Sequence, residues 1–215
     1  DFPLESKSIK KIGGYNSISL EKILEVNPSV VIGQDYDEKL NSNLKDLGIK
    51  TLIYKTNTIS SIKNTINELG IFFKQEEKAK ELTSNIDNSL SSLISIVQNQ
   101  KILIVISPQK SLSSQIYVTG NFLYFEDIIK ASGNQNAFYS TNQAQPVVNT
   151  EKIIAMNPDI IVLLTPFLEG KIQEQEQIIN SWKQLPINAS KSDNIYSIDK
   201  LYAGIPSHRI EYFIK

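Results

Sequence analysis

A helix–turn–strand pattern occurs twice in this chain, at residues 19–32 and 149–162. The first copy reads Ser19-Leu20-Glu21-Lys22-Ile23-Leu24-Glu25-Val26-Asn27-Pro28, then Val30-Val31-Ile32. The second reads Asn149-Thr150-Glu151-Lys152-Ile153-Ile154-Ala155-Met156-Asn157-Pro158, then Ile160-Ile161-Val162. Each opens on a side chain able to accept from the free N–H groups of a first helical turn. Each places a glutamate two residues on, where the helix dipole favours negative charge. Each stops at Asn-Pro, because proline has no N–H and restrains the residue before it. The β-branched run that follows predicts a buried strand of a parallel sheet. The separation of 130 residues is far too long for a solenoid period. Two similar α/β lobes are predicted, each carrying the same acidic helix tip.

Composition removes several classes of function. The 215 residues, 40% hydrophobic, suffice for one large domain or two small lobes. A net charge of -1 with evenly spread lysines gives no nucleic-acid footprint. There is no cysteine, which rules out disulfides and thiolate metal sites and fits an oxidising compartment. The single histidine, His208, cannot form a multi-histidine zinc site. No apolar run approaches the roughly 20 residues that span a bilayer. A start at Asp1 without Met reads as a mature or trimmed product whose targeting segment has been removed.

Between the repeats, glycines and apolar spacing predict the remaining elements. Gly13-Gly14-Tyr15 is a turn into the first repeat helix. Residues 37–47 form a helix capped by Gly48, Ile49–Tyr54 a strand, and Ser60–Leu69 a helix that Gly70 ends. Ala79, Leu82, Ile86, Leu90, Leu93, Ile94 and Val97 form one helical stripe. It predicts a single connecting helix over 75–98, about 36 Å long. These divisions give an N-terminal lobe over 1–73, a backbone helix over 74–100 and a C-terminal lobe over 101–215. In the last, Ile102–Ile106 and Asn194–Ile198 are strands, Phe122–Ala131 and Gln173–Leu185 are helices, and Ser207 starts a final helix.

The order of these motifs resembles the helical-backbone substrate-binding proteins of ABC importers, the class III periplasmic family that captures cobalamin, haem and ferric siderophores. Asp1-Phe2-Pro3 is similar to the family's Asp-Tyr-Pro opening. Ser132-Gly133-Asn134, Trp182-Lys183-Gln184-Leu185-Pro186 and Ser207-His208-Arg209-Ile210 match further family motifs in order. The resemblance implies two Rossmann-like lobes with parallel sheets joined by one long backbone helix, with a first strand and helix of the N-terminal lobe missing ahead of Asp1. It implies a periplasmic or lipid-anchored monomer without catalysis or cofactor, which holds a metal chelate in the cleft between its lobes. The partner it implies is a permease dimer with its ATPase.

The resemblance also assigns residues. Glu21 and Glu151 match the glutamates that pair with permease arginines, although each would also serve as a plain first-turn acid worth about 0.3–1 kcal/mol. In open parallel sheets, ligands sit beyond the carboxyl ends of the strands. That rule selects the loops at 13–15, 34–36, 107–110, 143–146, 165–167 and 201–205. The candidate ligand contacts are Tyr15, Gln34, Tyr36, Gln145, Phe167, Tyr202 and Arg209. Tyr15 matches a position that is aromatic in cobalamin binders and a phenolate iron ligand in several haem binders; a packing aromatic is the plainer alternative. Gln34 and Gln145 fall near positions that are aromatic in cobalamin binders and offer no stacking ring, which favours an iron chelate, ferric siderophore or haem. Cobalamin remains the alternative cargo. A two-lobed α/β enzyme is the alternative from another class, but no phosphate-binding glycine loop and no cysteine nucleophile appear.

Overall fold

Both copies of the repeated pattern form the predicted helix, stop and strand in the computed structural model, whose described residues are 3–14, 17–93, 97–112, 115–140 and 144–215, but only the second strand is buried as expected; in the first, Ile32 is 42% exposed. Ser19 Oγ accepts from the Lys22 N–H at 3.3 Å, and Asn149 Oδ1 from the Lys152 N–H at 2.9 Å. Each helix buries one isoleucine almost completely, Ile23 and Ile153. The stop rests on asparagine as much as on proline. Asn27 and Asn157 both lie in the left-handed region, at φ 45° and 47°. The following proline disfavours the right-handed helical conformation there, and asparagine is one of the few side chains that accept the alternative.

The chain divides into two compact units, Asp1–Lys55 and Thr56–Lys215. The first opens with a 3-10 turn, Leu4–Ser8, then β1 (Gly13–Gly14) paired antiparallel with β2 (Ser17–Ile18). A Cβ on Gly13 would overlap the Ser17 carbonyl oxygen, so only glycine lets these strands approach so closely. Next come α1 (Leu20–Glu25), β3 (Val31–Gln34), α2 (Glu38–Asp46) and β4 (Thr51–Tyr54). β3 and β4 pair in parallel, with α2 as the crossover that a parallel pair requires.

The second unit begins with α3 (Ile59–Phe72) and α4 (Glu76–Ser92). Thr58 and Ser61 form a reciprocal capping box at the start of α3, where the Ile59 N–H also donates to Asp127 at 2.7 Å. Then follow β5 (Lys101–Ile106), β6 (Ile116–Val118), α5 (Tyr124–Ala131), β7 (Gln135–Asn136), β8 (Val147–Val148), α6 (Thr150–Met156), β9 (Ile160–Leu164), α7 (Ile172–Lys183), α8 (Asn188–Lys191), β10 (Ile195–Ile198) and α9 (Ile210–Ile214). The sheet order is β10-β9-β5-β6-β8, with β7 beside the start of β5. Leu103, Val105, Ile161 and Leu163 face a cluster containing Ile153, Ile178 and Trp182. Ile104 and Leu164 face the other, with Ile62, Ile86, Phe125 and Ile210. Helices therefore cover both faces, which is why β5 and β9 read as continuous apolar runs rather than alternating ones.

Four further sequence expectations change. The second unit's sheet is mixed: β10, β9, β5 and β7 are parallel, but β6 runs antiparallel to β5 and to β8. The link from β5 to β6 holds no helix among its described residues and is too short for a parallel crossover, so the chain returns antiparallel. The connecting helix ends at Ser92, about 25 Å long at 17 residues, instead of running to 98. Past it, Asn99 takes a left-handed φ of 60° and the Val97 carbonyl accepts from Asn134 Nδ2 at 2.8 Å, so this stretch is tied to the turn after α5. Gly70 does not end α3, which continues to Phe72; it is buried, and a Cβ there would stand 2.5 Å from Ala79 Cβ on α4. Gly70 is thus a close-approach residue between two helices. The final helix starts at Ile210, with Arg209 at its N-cap, rather than at Ser207.

Candidate functional site

Parallel strands β5, β9 and β10 end side by side, and the three loops that leave them form one rim. The loop after β5 is Ser107–Ser111. The loop after β9 is a 3-10 turn, Pro166–Leu168, and the loop after β10 is another, Leu201–Gly204. Gln175 on α7 ties the last two together, donating to the Leu168 carbonyl at 2.7 Å and to Asp199 Oδ2 at 3.2 Å. Lys200 Nζ reaches Glu169 at 2.6 Å and Asp199 at 3.6 Å. Burial works against the Asp199 charge, but Gln175 and Lys200 outweigh it and hold the carboxyl below its usual range.

A pocket of about 480 Å³ opens on this rim. Its walls are residues 107–111, residues 164–168, and Glu174 and Ile178 from α7. The volume falls within the range of small-molecule sites, and the walls are mostly apolar with a few polar groups. Phe167 projects its ring into solvent at 76% exposure. Ser107 adopts φ 49°, an uncommon conformation for a residue with a Cβ, where the chain turns out of β5. Gln109 Nε2 donates to the Ser107 carbonyl at 3.1 Å, and Ser181 Oγ on α7 donates to the Lys110 carbonyl at 2.8 Å. The loop backbone is therefore pinned to the helix beneath it. Thr165 and Ser197 join their hydroxyls at 2.7 Å between β9 and β10, stiffening the floor.

The selected residues distribute unevenly. Phe167 lines the pocket. Tyr202 lies on the neighbouring turn, half-buried, with its ring edge-to-face against Tyr212 at 5.7 Å. Arg209 follows that turn, its backbone N–H donating to Ser207 Oγ at 3.3 Å. Gln145 is exposed on the stretch leading into β8, where the flanking Ala144 and Pro146 carbonyls accept from Gly120 and Val118. It is not among the pocket walls. In the first unit, Gln34 ends β3 and its carbonyl accepts from Asn41 Nδ2 at 3.1 Å. Tyr36 follows at 56% exposure, just before the Asp37 side chain caps α2. Tyr15 lies outside the described residues. His208 is half-buried against α3 and α4; desolvation, then the charges of Arg209 and Lys78, hold its pKa below the usual value.

Glu21 and Glu151 are both exposed in the first turns of α1 and α6, each followed by an exposed lysine. Glu151 Oε2 accepts from Asn149 Nδ2 at 3.3 Å. Of the six loops selected by the strand-end rule, those at 107–110 and 165–167 line the pocket, and Glu174 and Ile178 were missed. They lie on α7, and only tertiary packing brings that helix under the rim. Among the described residues, no group of three His, Asp or Glu side chains stands together as a metal site, and no helix is long and apolar enough to cross a membrane.

Comparison with known proteins places this geometry. A family model described as "Periplasmic binding protein" matches residues 2–202. The vitamin B12-binding protein of Salmonella typhimurium is 23% identical over 201 residues, covering 90% of this chain and 72% of that protein. The high-affinity heme uptake system protein IsdE of Staphylococcus aureus is 21% identical over 211 residues, covering 96% and 72%. The crystal structure of the periplasmic vitamin B12 binding protein BtuF of Vibrio cholerae superposes with a TM-score of 0.81 at 17% identity, covering all of this chain and 82% of that one. These relatives are binding proteins rather than enzymes, and the fold is theirs. The chain belongs to the periplasmic binding protein family.

Proposed function

We propose that this chain is the receptor of an ABC importer and captures an iron chelate, a ferric siderophore or haem, outside the cytoplasmic membrane. The observation that carries the reading is the pocket at the carboxyl ends of β5 and β9, with Phe167 exposed over its mouth. Open parallel sheets bind ligands at that edge. An exposed ring beside apolar walls suits the flat organic shell of a chelate, which supplies its own metal ligands. The comparisons support a metal chelate as cargo, iron chelate and cobalamin alike, through a haem-uptake relative and a B12-binding relative. Phe167 and Tyr202 are the proposed contacts from the second unit, with Arg209 and Gln145 further out. Tyr15, Gln34 and Tyr36 are those from the first. The glutamines at 34 and 145 offer no stacking ring, which favours iron chelates over cobalamin. Glu21 and Glu151 are the proposed contacts to a permease dimer that works with its ATPase, and the receptor acts as a monomer.

The test is a calorimetric titration of the chain with a ferric tris-catecholate, a ferric tris-hydroxamate, haem and cyanocobalamin. One iron chelate should bind with 1:1 stoichiometry at micromolar Kd or tighter, about -8 kcal/mol, and be recovered chemically unchanged. Saturable binding of cobalamin alone would transfer the reading to that cargo. Conversion of any of them would sink the receptor reading.

A further inference from the structure

We infer that Lys110 is the anion-pairing residue of the second unit's pocket, held by Glu174 until a ligand arrives, so that the pocket selects negatively charged chelates over neutral ones. The inference rests on the reading of this pocket as a chelate site. Among the described residues, Lys110 and Glu174 are the only charged side chains in the pocket walls, and they stand 3.7 Å apart. Their side chains are 55% and 43% exposed. A pair so well solvated is worth less than about a factor of five in an equilibrium, so an incoming anion can replace Glu174 at little cost.

Two further features make the exchange cheap. Glu174 has a second cation, Lys171, at 4.0 Å, and keeps a partner when Lys110 leaves. The Lys110 backbone is fixed by Ser181 on α7, so only the flexible stem has to swing. Lysine suits such an exchange because its charge sits on a long, rotatable chain and has no fixed docking plane. The apolar walls then take the organic body of the ligand, and the ammonium takes its charge.

The experiment titrates the full chain and its Lys110→Gln, Glu174→Gln and doubly substituted variants with a trianionic ferric tris-catecholate and a neutral ferric tris-hydroxamate. Melting curves check that each variant folds. Lys110→Gln should weaken catecholate binding about fivefold, and Glu174→Gln should strengthen it by a similar factor. The gain from Glu174→Gln should shrink when Lys110 is already replaced, and hydroxamate affinity should move in neither variant. Equal shifts for both chelates, or none for the catecholate, would overturn the inference. Hydroxamate binding that is tight and identical in all four proteins, with no catecholate bound, would overturn it while leaving the receptor standing. Failure of both chelates, haem and cobalamin to bind would overturn both.

Discussion

Asp159 offers the sharpest test of how the second repeat is built into its unit. It follows Asn157-Pro158 at the corner between α6 and β9. Its Oδ2 accepts from the Lys101 N–H at 2.9 Å and its Oδ1 from Asn188 Nδ2 at 2.7 Å. The Asn157 side chain accepts from the Asn188 N–H at 2.8 Å, and the Pro158 carbonyl from the Ala189 N–H at 2.9 Å. This corner therefore ties together the start of β5, the start of α8 and the approach to β9. The Lys101 N–H, then Asn188, lower the Asp159 pKa below 3.8 against the opposing effect of burial. A carboxylate with a lowered pKa contributes stability that is fully present above its unfolded value and is lost as pH falls through the folded one. Hydrogen bonds to a charged group are worth about 1.5–3 kcal/mol, but the site is half-buried and water can replace part of the loss, so Asp159→Ala should cost about 2–3 kcal/mol. For a chain of this size that is a drop of about 5–10 °C in Tm. Circular dichroism melts near neutral pH should show it, and the gap should narrow as pH falls below 3.8 and the parent carboxyl takes up its proton. A Tm within about 2 °C of the parent at neutral pH, or a gap just as wide in acid, would refute this account of the corner.

Four further outcomes are expected. Glu21→Lys combined with Glu151→Lys should abolish chelate uptake in cells, leave chelate affinity intact and cost no more than about 1 kcal/mol per site in stability; uptake at the parent rate would remove the docking role. Phe167→Ala should weaken chelate binding about tenfold with little change in melting, because the ring is mostly solvated; calorimetry and a melt decide this together. His208 has a lowered pKa, so protonation should erode stability as pH falls below 6.5; His208→Gln should flatten that part of a Tm-against-pH curve, and an unaltered curve would exclude the residue. Gly70→Ala should destabilise by about 1–3 kcal/mol through overpacking against Ala79, despite its better helix propensity, and a stabilised variant in a denaturant titration would contradict the close approach.

Local chemistry made much of the frame legible. The caps at Ser19 and Asn149, the buried Ile23 and Ile153, and the continuous apolar runs of β5 and β9 all announce themselves within a few residues. Tertiary causes were harder to read. Gly70 carries the same local signal as a helix terminator, and only the approach of α4 shows that it is a packing residue. The stripe beyond Leu90 has helical spacing, yet Asn134 claims the Val97 carbonyl. The direction of β6 follows from its neighbours rather than from its three residues. At the candidate site, the strand-end rule found the loops because it is a rule about topology. It could not find Glu174, which acquires its relation to Lys110 only when α7 packs beneath a loop more than 60 residues earlier in the chain.

The two repeats also act as an internal control, since the same pattern was built twice in one chain. Packing accounts for the cap, the buried isoleucine and the left-handed asparagine before proline, because each satisfies a backbone group or fills a core. It does not account for Glu21-Lys22 and Glu151-Lys152, which are exposed in both copies. Helix stability would explain the glutamates in the first turns, and in the six-residue α1 it also accommodates Lys22, which falls in the last turn. Elsewhere the copies diverge where the fold is indifferent: Glu25, paired with Lys10 at 2.7 Å, corresponds to Ala155. Repetition at the exposed Glu-Lys pair, against divergence at the next exposed position, is what two similar partner surfaces would impose. The Glu21→Lys, Glu151→Lys double variant separates a permease contact at the tips from the stability of two short helices.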